Sequence, residues 1–346
     1  MRTDDHLWIV ILAGGVGSRF WPASTPERPK QLLPLASSRP LIRDTVERAR
    51  SLVPDARLRI LAGERLMEPF RRVLPDLPDE SYMVEPEARG TCPVLAWAAH
   101  RIRAEDPDAI IVSLHADHLI DPLESFRSTV LAAAAIADTQ RMLLTIGVVP
   151  DRIETGFGHI QRGAPISAPG GTRASRVKAF HEKPDEDTAR RYMDEGYVWN
   201  SGIFVWRADV FLEEVTTTAP RVAACFPALD EGDATFFSAV PVCTVDEAVL
   251  ERSARVGMVE ATFRWDDVGS WEALARTRAG DREGNVAQGH VSVVDGTGNV
   301  VWAEEGHLVL FGVDDLVVVR SGDVTLVTRR DLAPRLKSLV ARVEDV

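Results

Sequence analysis

The sequence has few cysteines and no long apolar run. Only three cysteines occur in 346 residues, at positions Cys92, Cys225 and Cys243, and none forms a CxxC pair. Such spacing argues against a disulfide framework or a zinc knuckle and fits a reducing compartment. No apolar stretch approaches the roughly 20 residues that a membrane-spanning helix needs, and the polar start, residues 1–6, lacks a secretory pattern. We therefore expect a cytoplasmic protein that spans no membrane.

An excess of positive charge is also missing. The formal net charge is −12 and the isoelectric point is about 5.2. A chain this acidic lacks the basic face that nucleic acids and anionic membranes require, so neither is an expected partner. Any phosphate must be held by a few local cations and backbone amides. The 45% apolar and 27% charged residues are typical of a globular protein with a large core.

Short apolar runs alternate with helical spacing over the first 150 residues. Such alternation predicts a Rossmann-like α/β fold, a mostly parallel sheet flanked by helices. The composition changes after about residue 275, where Val, Gly, Asp and Asn predominate and turns interrupt short strands. We therefore predict a large domain over 1–280 and a small β-rich C-terminal domain over 285–346. The predicted strands are 7–13, 57–62, 82–85, 109–114 and 142–148, and the predicted helices are 40–52, 64–74, 91–104 and 122–137.

A glycine loop follows the first predicted strand. Segment 12–31 reads LAGGVGSRFWPASTPERPKQ. Glycines let the backbone approach a phosphate, and Arg19 and Lys30 add the positive charge that a triphosphate demands. The dinucleotide fingerprint is incomplete because Phe20 stands at its third glycine, which argues against a nicotinamide-dependent oxidoreductase. A P-loop is excluded because no Gly-Lys-Ser/Thr follows.

Two acidic segments are candidates for a metal site. Asp117 lies in His-Ala-Asp-His after the strand 109–114, at the edge where open α/β sheets bind ligands, and could hold Mg²⁺. The flanking His115 and His118 suggest a transition metal. However, neighbouring side chains of an extended strand point oppositely, so we do not expect the three to share one ion. The second segment, 265–271, reads WDDVGSW.

Three further segments carry polar groups suited to a sugar phosphate. Segment 180–184 reads FHEKP, in which Glu182 can accept hydrogen bonds from hydroxyls and Lys183 can pair with a phosphate. Segments 155–160, TGFGHI, and 199–204, WNSGIF, combine glycines with polar residues. Each of these segments alone is compatible with an ordinary turn or a solvated surface pair.

Together and in this order, the segments resemble the motifs of the nucleotidyltransferases that activate sugar phosphates. The loop is similar to G-G-x-G-x-R…P-K, and FWP with PKQ resembles the mannose-1-phosphate guanylyltransferase branch. The later segments resemble W-x-D-V-G-S/T, E-K-P, T-G-Y-G-x-I and W-N-S-G-I/M-F. The resemblance runs from Leu12 to about Trp271, and more weakly through 312–319.

The resemblance implies that GMP passes from GTP to mannose 1-phosphate, with Mg²⁺ as cofactor and a homodimer as a possible assembly. Asp117 and Asp267 are then the metal ligands, and Arg19, Lys30 and Lys183 the catalytic cations. Sugar-phosphate contacts are expected from Gly158, Glu182, Lys183 and Asn200. Nucleotide contacts are expected from Leu12, Ala13, Gly14, Gly15, Gly17, Ser18, Glu85, Arg89, Thr91 and Asp117.

One segment departs from the branch pattern. Residues 85–93 read EPEARGTCP, whereas this branch usually has E-P-x-x-R-N-T-A-P, so Gly90 and Cys92 replace asparagine and alanine. This region is expected near the base, which leaves another nucleotide, or a glucose or heptose 1-phosphate, as alternatives with the same chemistry. A regulatory relative that binds nucleotide-sugars without catalysis is a further alternative, although the expected cations and carboxylates are all present.

Overall fold

The computed structural model describes residues 3–15 and 17–343. The strands are β1 Leu7–Leu12, β2 Leu58–Gly63, β3 Tyr82–Glu85, β4 Ile110–His115, β5 Leu119–Asp121, β6 Leu143–Val148, β7 His159–Pro165, β8 Ala174–His181, β9 Val198–Arg207, β10 Val256–Glu260, β11 Arg264–Asp266, β12 Val286–Gln288, β13 Val291–Val294, β14 Val300–Ala303, β15 Leu308–Phe311, β16 Leu316–Ser321 and β17 Val324–Arg329. The helices are α1 Leu41–Arg50, α2 Met67–Val73, α3 Thr91–Glu105, α4 Leu123–Gln140, α5 Glu186–Asp194, α6 Ala208–Thr218, α7 Pro220–Ala223, α8 Ala228–Glu231, α9 Asp233–Ala239, α10 Trp271–Thr277 and α11 Leu336–Val343. Among these described helices, none is both long enough and apolar enough to cross a bilayer.

A nine-stranded sheet forms the centre of the molecule, in the order β3-β2-β1-β4-β9-β6-β10-β8-β7. The half from β3 to β4 is parallel, as the alternation of strands and helices predicts. Beyond β4 the sheet is mixed, because β9 pairs antiparallel with both β4 and β6. The predicted α/β fold is confirmed, and the antiparallel strands are confined to the second half of the sheet.

The two faces of the sheet bury separate apolar clusters. Alternate residues of β1 point to opposite faces, as a strand requires. Ile9 and Ile11 enter one cluster with side chains of α4, whereas Trp8 and Val10 enter the other with side chains of α3 and α6. All four side chains are 6% exposed or less. Helices therefore cover both faces, and the carboxyl ends of β1 and β4 open at one edge.

The C-terminal strands form a small β unit against the glycine loop. Strands β12, β14 and β16 pair in parallel, as do β13 and β15, and β17 closes the first set antiparallel. Phe20 from the glycine loop meets Trp271 edge-on at 5.0 Å, and Trp271 lies 5.4 Å from the ring of Trp302 in β14. This shared core fixes the loop that carries Arg19 and Lys30. The division of the chain between 280 and 285 stays a prediction.

Candidate active site

Two adjoining pockets open at the carboxyl edge of β1 and β4. Leu12 and His115, the last residues of these strands, are directly paired. The strand-edge pocket is lined by Leu12, Ala13, Gly14, Gly15, Gln31, Leu61, Glu85, Ala88, Gly90, Thr91, Val94, His115, Ala116 and Asp117. The lysine pocket is lined by Gly17, Arg19, Phe20, Lys30, His115, Asp117, His118, Asp267 and Gly269. The structure thus gathers most of the predicted nucleotide, catalytic and metal residues at one edge.

Lys30 is the buried cation of this site. Its side chain is 8% exposed, and its Nζ donates to Asp117 Oδ2 at 2.7 Å and to the main-chain oxygen of Asp267 at 2.5 Å. Gly17 makes this approach possible, because it has φ of +67° and an added Cβ would lie 2.2 Å from the Cβ of Lys30. Gly17 is therefore needed to leave room for Lys30, in addition to any role in the approach of a phosphate. The side chain of Ser18 lies outside the described residues.

The pKa values of the two predicted metal carboxylates are shifted in opposite directions. Burial opposes ionisation of Asp117, but Lys30, His118 and His115 outweigh it and hold its pKa well below the ordinary value. Burial raises the pKa of Asp267, and the Asp266 and Asp117 carboxylates add to that effect against Lys30. Within the described ranges, no protein group donates a hydrogen bond to the Asp267 carboxylate. Its negative charge is therefore available to a cation.

The expectation that His115, Asp117 and His118 cannot converge is wrong. Their potential ligand atoms all lie within 4.8 Å of one another, because β4 ends at His115 and the chain turns at 116–117. The alternation rule applies only to extended backbone. Trp265 Nε1 donates to His118 Nδ1 at 3.2 Å, so neutral His118 carries its proton on Nε2. In this tautomer His118 offers a metal no free lone pair.

Side chains that the motifs do not mark hold this turn in place. From α1, Thr45 Oγ1 donates to the oxygen of Ala116 at 3.2 Å, and Arg48 Nη2 donates to the oxygen of His118 at 3.4 Å. Arg48 is 7% exposed, and its burial lowers the pKa to about 10 against the raising effect of Asp44. Helix α1, whose Thr45 precedes Ala116 by 71 positions, therefore fixes the backbone of Asp117. The i,i+3 spacing of Thr45 and Arg48, which places them on one face of α1, is the one sequence signal for this role.

The loop that carries Asp267 is stabilised by its neighbour. Asp266 Oδ1 accepts from the nitrogen of Val268 at 2.7 Å, and Asp266 Oδ2 accepts from Arg276 Nε at 2.9 Å. Val268 adopts φ of +46°, an uncommon value for a β-branched residue. Trp271 Nε1 then donates to the oxygen of Trp21 at 3.1 Å and links this loop to the glycine loop. Asp266 thus shapes the turn that presents Asp267.

Glu85 and Arg89 occupy different places, although the resemblance gives both to the nucleotide. Glu85 lines the strand-edge pocket, and burial raises the pKa of its carboxyl although the nitrogen of Arg89 donates to it at 3.4 Å. The Arg89 guanidinium instead donates to Glu87 at 2.5 Å and approaches the oxygen of Ser238 at 3.5 Å. Arg89 lies outside the residues that line the two pockets.

The predicted sugar-phosphate residues form a second group. Lys183 bonds to the neighbouring Glu182, and its side chain is 64% exposed. An added Cβ at Gly158 would lie 2.6 Å from Glu182 Oε2 and 3.1 Å from the ring of Phe180. Gly158 therefore makes room for the Glu182 carboxylate. The nitrogen of Asn200 donates to the oxygen of Gly158 at 2.8 Å, so segments 155–160 and 199–204 are joined, and the contact of Gly158 with Glu182 adds segment 180–184.

The Asn200 side chain is largely used within the protein. Its Oδ1 accepts from Thr145 Oγ1 at 2.8 Å and from the nitrogen of Gly202 at 3.2 Å, and its Nδ2 donates to Asp246 Oδ1 at 2.9 Å. One Nδ2 hydrogen is left for a ligand. Burial, together with the nearby Glu182 carboxylate, raises the pKa of Asp246 to about 6. Asp246 lies in a π-helical turn, Asp246–Leu250, that sequence analysis missed.

Comparisons with known proteins agree with this arrangement. Residues 9–284 match the family model described as nucleotidyl transferase, and residues 289–343 match the MannoseP isomerase/GMP-like beta-helix domain. The mannose-1-phosphate guanylyltransferase of Escherichia coli K12 is 35% identical over 99% of this chain and 74% of its own length. The enzyme of the same name from Salmonella typhimurium LT2 is 36% identical over the same shares.

A solved structure extends the similarity to the whole fold. The crystal structure described as mannose-1-phosphate geranyltransferase from Thermus thermophilus has a TM-score of 0.89 and 30% identity, and covers 98% of this chain and 99% of that one. The family predicted from the motifs is thereby confirmed. The chain belongs to the nucleotidyl transferase family, on the branch of the mannose-1-phosphate guanylyltransferases, whose enzymes generally use a divalent metal ion.

Proposed function

We propose that this enzyme transfers GMP from GTP to α-D-mannose 1-phosphate and releases GDP-mannose and pyrophosphate. The observation that carries the proposal is the contact of Lys30 with Asp117 and the Asp267 loop in the lysine pocket, which adjoins the strand-edge pocket. A buried cation that bonds to one carboxylate and to the loop of a second is suited to a triphosphate that arrives with its own metal ion. The named relatives support the sugar and the base.

The chemistry is an in-line displacement. A phosphate oxygen of the sugar phosphate bonds to the α-phosphorus of GTP, and the bond from that phosphorus to the bridging oxygen breaks. The attacking phosphate is ionised at neutral pH, so the step needs no general base and no covalent enzyme intermediate. Lys30 uses two of its three hydrogens on the protein, which leaves one for a phosphate oxygen. Arg19, an exposed lining residue of the lysine pocket, adds a second cation.

Mg²⁺ fits the oxygen ligands of this site. Asp117 Oδ1 and the Asp267 carboxylate are not occupied by protein donors within the described ranges, and Mg²⁺ prefers carboxylate and phosphate oxygens. When bound there, Mg²⁺ would neutralise charge on the phosphates. The His118 tautomer argues against a site made of two histidines and Asp117.

Glu85 supports guanine as the base. It lies in the strand-edge pocket close to Gly14, where its carboxylate can accept from two neighbouring N–H groups. The Watson–Crick edge of guanine presents two such donors side by side, whereas adenine presents an acceptor beside its amino group. The backbone of Gly14 and Gly15 leaves space along the same wall.

The sugar phosphate is assigned to the group around Glu182. Lys183 would pair with its phosphate, and the Glu182 carboxylate would accept from sugar hydroxyls. Asn200 contributes at most one hydrogen, so Asp246 behind it becomes the group that fixes its orientation. The exposed position of Lys183 lets it move onto an arriving phosphate.

The test is pyrophosphate release by the purified protein with Mg²⁺, mannose 1-phosphate and each nucleoside triphosphate in turn. We expect release with GTP, and loss of release in Asp117→Ala with the fold intact by circular dichroism. Release with another triphosphate, or only with glucose or heptose 1-phosphate, would overturn the named substrates and keep the chemistry. No release with any pair would favour a regulatory relative, and radiolabel from the α-phosphate of GTP retained on the protein would exclude direct transfer.

We also propose a cytoplasmic homodimer. The pair β13–β15 presents exposed apolar side chains, with Val294, Val309 and Phe311 being 47%, 62% and 71% exposed. Such a patch is unusual for a free surface and suits a second copy of the chain. Light scattering should give twice the chain mass, and Phe311→Ser should give the monomer. The three free thiols fit the cytoplasm.

A further inference from the structure

Both departures from the branch pattern at 85–93 contact one residue, Cys243. Gly90 has φ of +86°, and an added Cβ there would lie 2.4 Å from the oxygen of Cys243. The nitrogen of Cys92 donates to that oxygen at 3.3 Å, and the nitrogen of Cys243 donates to the oxygen of Arg89 at 3.1 Å. The asparagine that is usual at position 90 would collide with this arrangement. Gly90, Cys92 and Cys243 therefore form one local unit.

The two thiols of this unit are partners of unequal exposure. The neighbouring Cys92 thiol lowers the pKa of the Cys243 thiol, against the opposing effect of burial. Cys243 is half-buried on the segment that precedes the π-helical turn, whereas Cys92 is 0% exposed in the first turn of α3. A half-buried thiol of lowered pKa with a buried thiol behind it is the arrangement of an attacking and a resolving cysteine.

We propose that Cys92 and Cys243 form a thiol modification site that a small-molecule disulfide converts into an intramolecular disulfide beside the nucleotide pocket. The Cys243 thiolate attacks one sulfur of the reagent R–S–S–R, and the S–S bond breaks with loss of RS⁻. The Cys92 sulfur then attacks Cys243 Sγ and releases the second RS⁻. The two cysteines lose two electrons and two protons, and the reagent leaves as two RSH.

The site is coupled to the nucleotide pocket through one turn of chain. Gly90 and Thr91 line the strand-edge pocket, and Thr91 Oγ1 accepts from the nitrogen of Val245 at 2.9 Å. A covalent bond between Cys92 and Cys243 would link the same two segments, 90–92 and 243–245, next to the wall of the strand-edge pocket. The coupling to GTP rests on the proposed function, whereas the thiol chemistry does not.

The experiment uses Cys225→Ala protein, so that the pair is the sole source of thiols, and 5,5′-dithiobis(2-nitrobenzoate) as the reagent. We expect two equivalents of thionitrobenzoate, no retained adduct and a mass lower by about 2 Da. Adding Cys92→Ala should give one equivalent and an adduct on Cys243. Adding Cys243→Ala should abolish the reaction in the folded protein. A lasting adduct in the Cys225→Ala protein, or reaction of Cys92 without Cys243, would overturn the proposal.

A binding measurement tests the coupling. We expect the GTP dissociation constant of the Cys225→Ala protein to change by at least about threefold on oxidation and to return with dithiothreitol. The variant that also carries Cys92→Ala should show no such change after the same treatment. An unchanged constant, with the disulfide proven by mass, would overturn the coupling to the pocket. Failure of GTP to bind the reduced protein would instead contradict the proposed function.

Discussion

The molecule contains two lysine–carboxylate pairs at its candidate site, and they are built in opposite ways. The side chain of Lys30 is 8% exposed and bonds to Asp117, a residue 87 positions away, and to the loop of Asp267. Lys183 is 64% exposed and bonds to Glu182, its neighbour in sequence. The first pair is assembled by the fold of three separate segments. The second pair would exist in a short peptide.

This difference indicates a division of labour between the two sides. A charge shielded from water acts strongly on its surroundings and needs no reorganisation when charge develops on a substrate. A solvated pair contributes little to stability and is free to exchange partners. We infer that the Lys30 side is a fixed electrostatic frame for the nucleotide, whereas the Lys183 side adapts to the sugar phosphate.

Removal of the buried cation should have the largest effect. We expect Lys30→Met to lower kcat about 10³-fold, because Asp117 and Asp267 lose their shared cation and a phosphate oxygen loses a donor. The measurement is pyrophosphate release at saturating substrates. Lys178→Met is the matched control, because Lys178 lies on the exposed face of β8 and is one of only four lysines in the chain. A loss of less than tenfold would contradict the fixed-frame interpretation.

The space that Gly17 leaves for Lys30 should be the next most sensitive feature. We expect Gly17→Ala to lower kcat about 10²-fold, because its Cβ would displace Lys30, and a displacement of about 1 Å is enough for that loss. Gly170→Ala is the control, since Gly170 has φ of +65°, close to that of Gly17, and an added Cβ there meets nothing within 4 Å. Equal losses in both variants would show that backbone strain and general destabilisation, rather than the position of Lys30, lower turnover.

The exposed pair should give a smaller and more selective effect. We expect Lys183→Met to raise KM for mannose 1-phosphate about tenfold, because one charge-assisted hydrogen bond to the sugar phosphate is lost. KM for GTP should change little. Thermal stability should not change, because the pair is solvated. A similar loss for GTP, or a clear drop in the melting temperature, would erase the distinction between the two sides.

The residues that sequence patterns could locate are those fixed by local backbone. The glycine loop, the acidic residue after β4 and the turn before Trp271 follow strand ends, and the carboxyl ends of parallel strands meet at one edge. This rule places Asp117, whereas Asp267 follows β11, which pairs antiparallel with β5 outside the nine-stranded sheet, and only the motif resemblance assigns it beside Asp117. The convergence of His115 and His118 could not, because the alternation rule fails as soon as the strand ends in a turn.

The residues that the patterns missed act across long separations. Asp246 reaches Asn200 over 46 positions, and Cys92 meets Cys243 over 151. The antiparallel insertion of β9 between β4 and β6 brings the sugar side to the nucleotide edge, yet strand order leaves no trace in hydrophobic spacing. Arg89 is the opposite case. Its motif predicts a contact with the nucleotide, but its guanidinium donates to Glu87 instead.

The smallest expected effect concerns Asp246, a partly buried carboxyl group on the sugar side. Its pKa of about 6 lies above the ordinary 3.8, because of burial and the carboxylate of Glu182. Between pH 4 and 6 the folded protein therefore keeps a proton that the unfolded chain has released, so stability should fall as pH rises through this window. Asp246→Asn removes that titration and retains an oxygen that can accept from Asn200.

We expect the melting temperature of the wild type to fall, relative to Asp246→Asn, by about 2–4 °C between pH 4 and 6.5, as a change of about 2 kcal/mol would produce in a chain of 346 residues. Asp187→Asn, an exposed residue in the first turn of α5, is the control and should follow the wild type. Parallel curves for the wild type and Asp246→Asn would mean that Asp246 is solvated like Lys183. The contrast between a buried Lys30 side and a solvated sugar side would then include the carboxyl group behind Asn200.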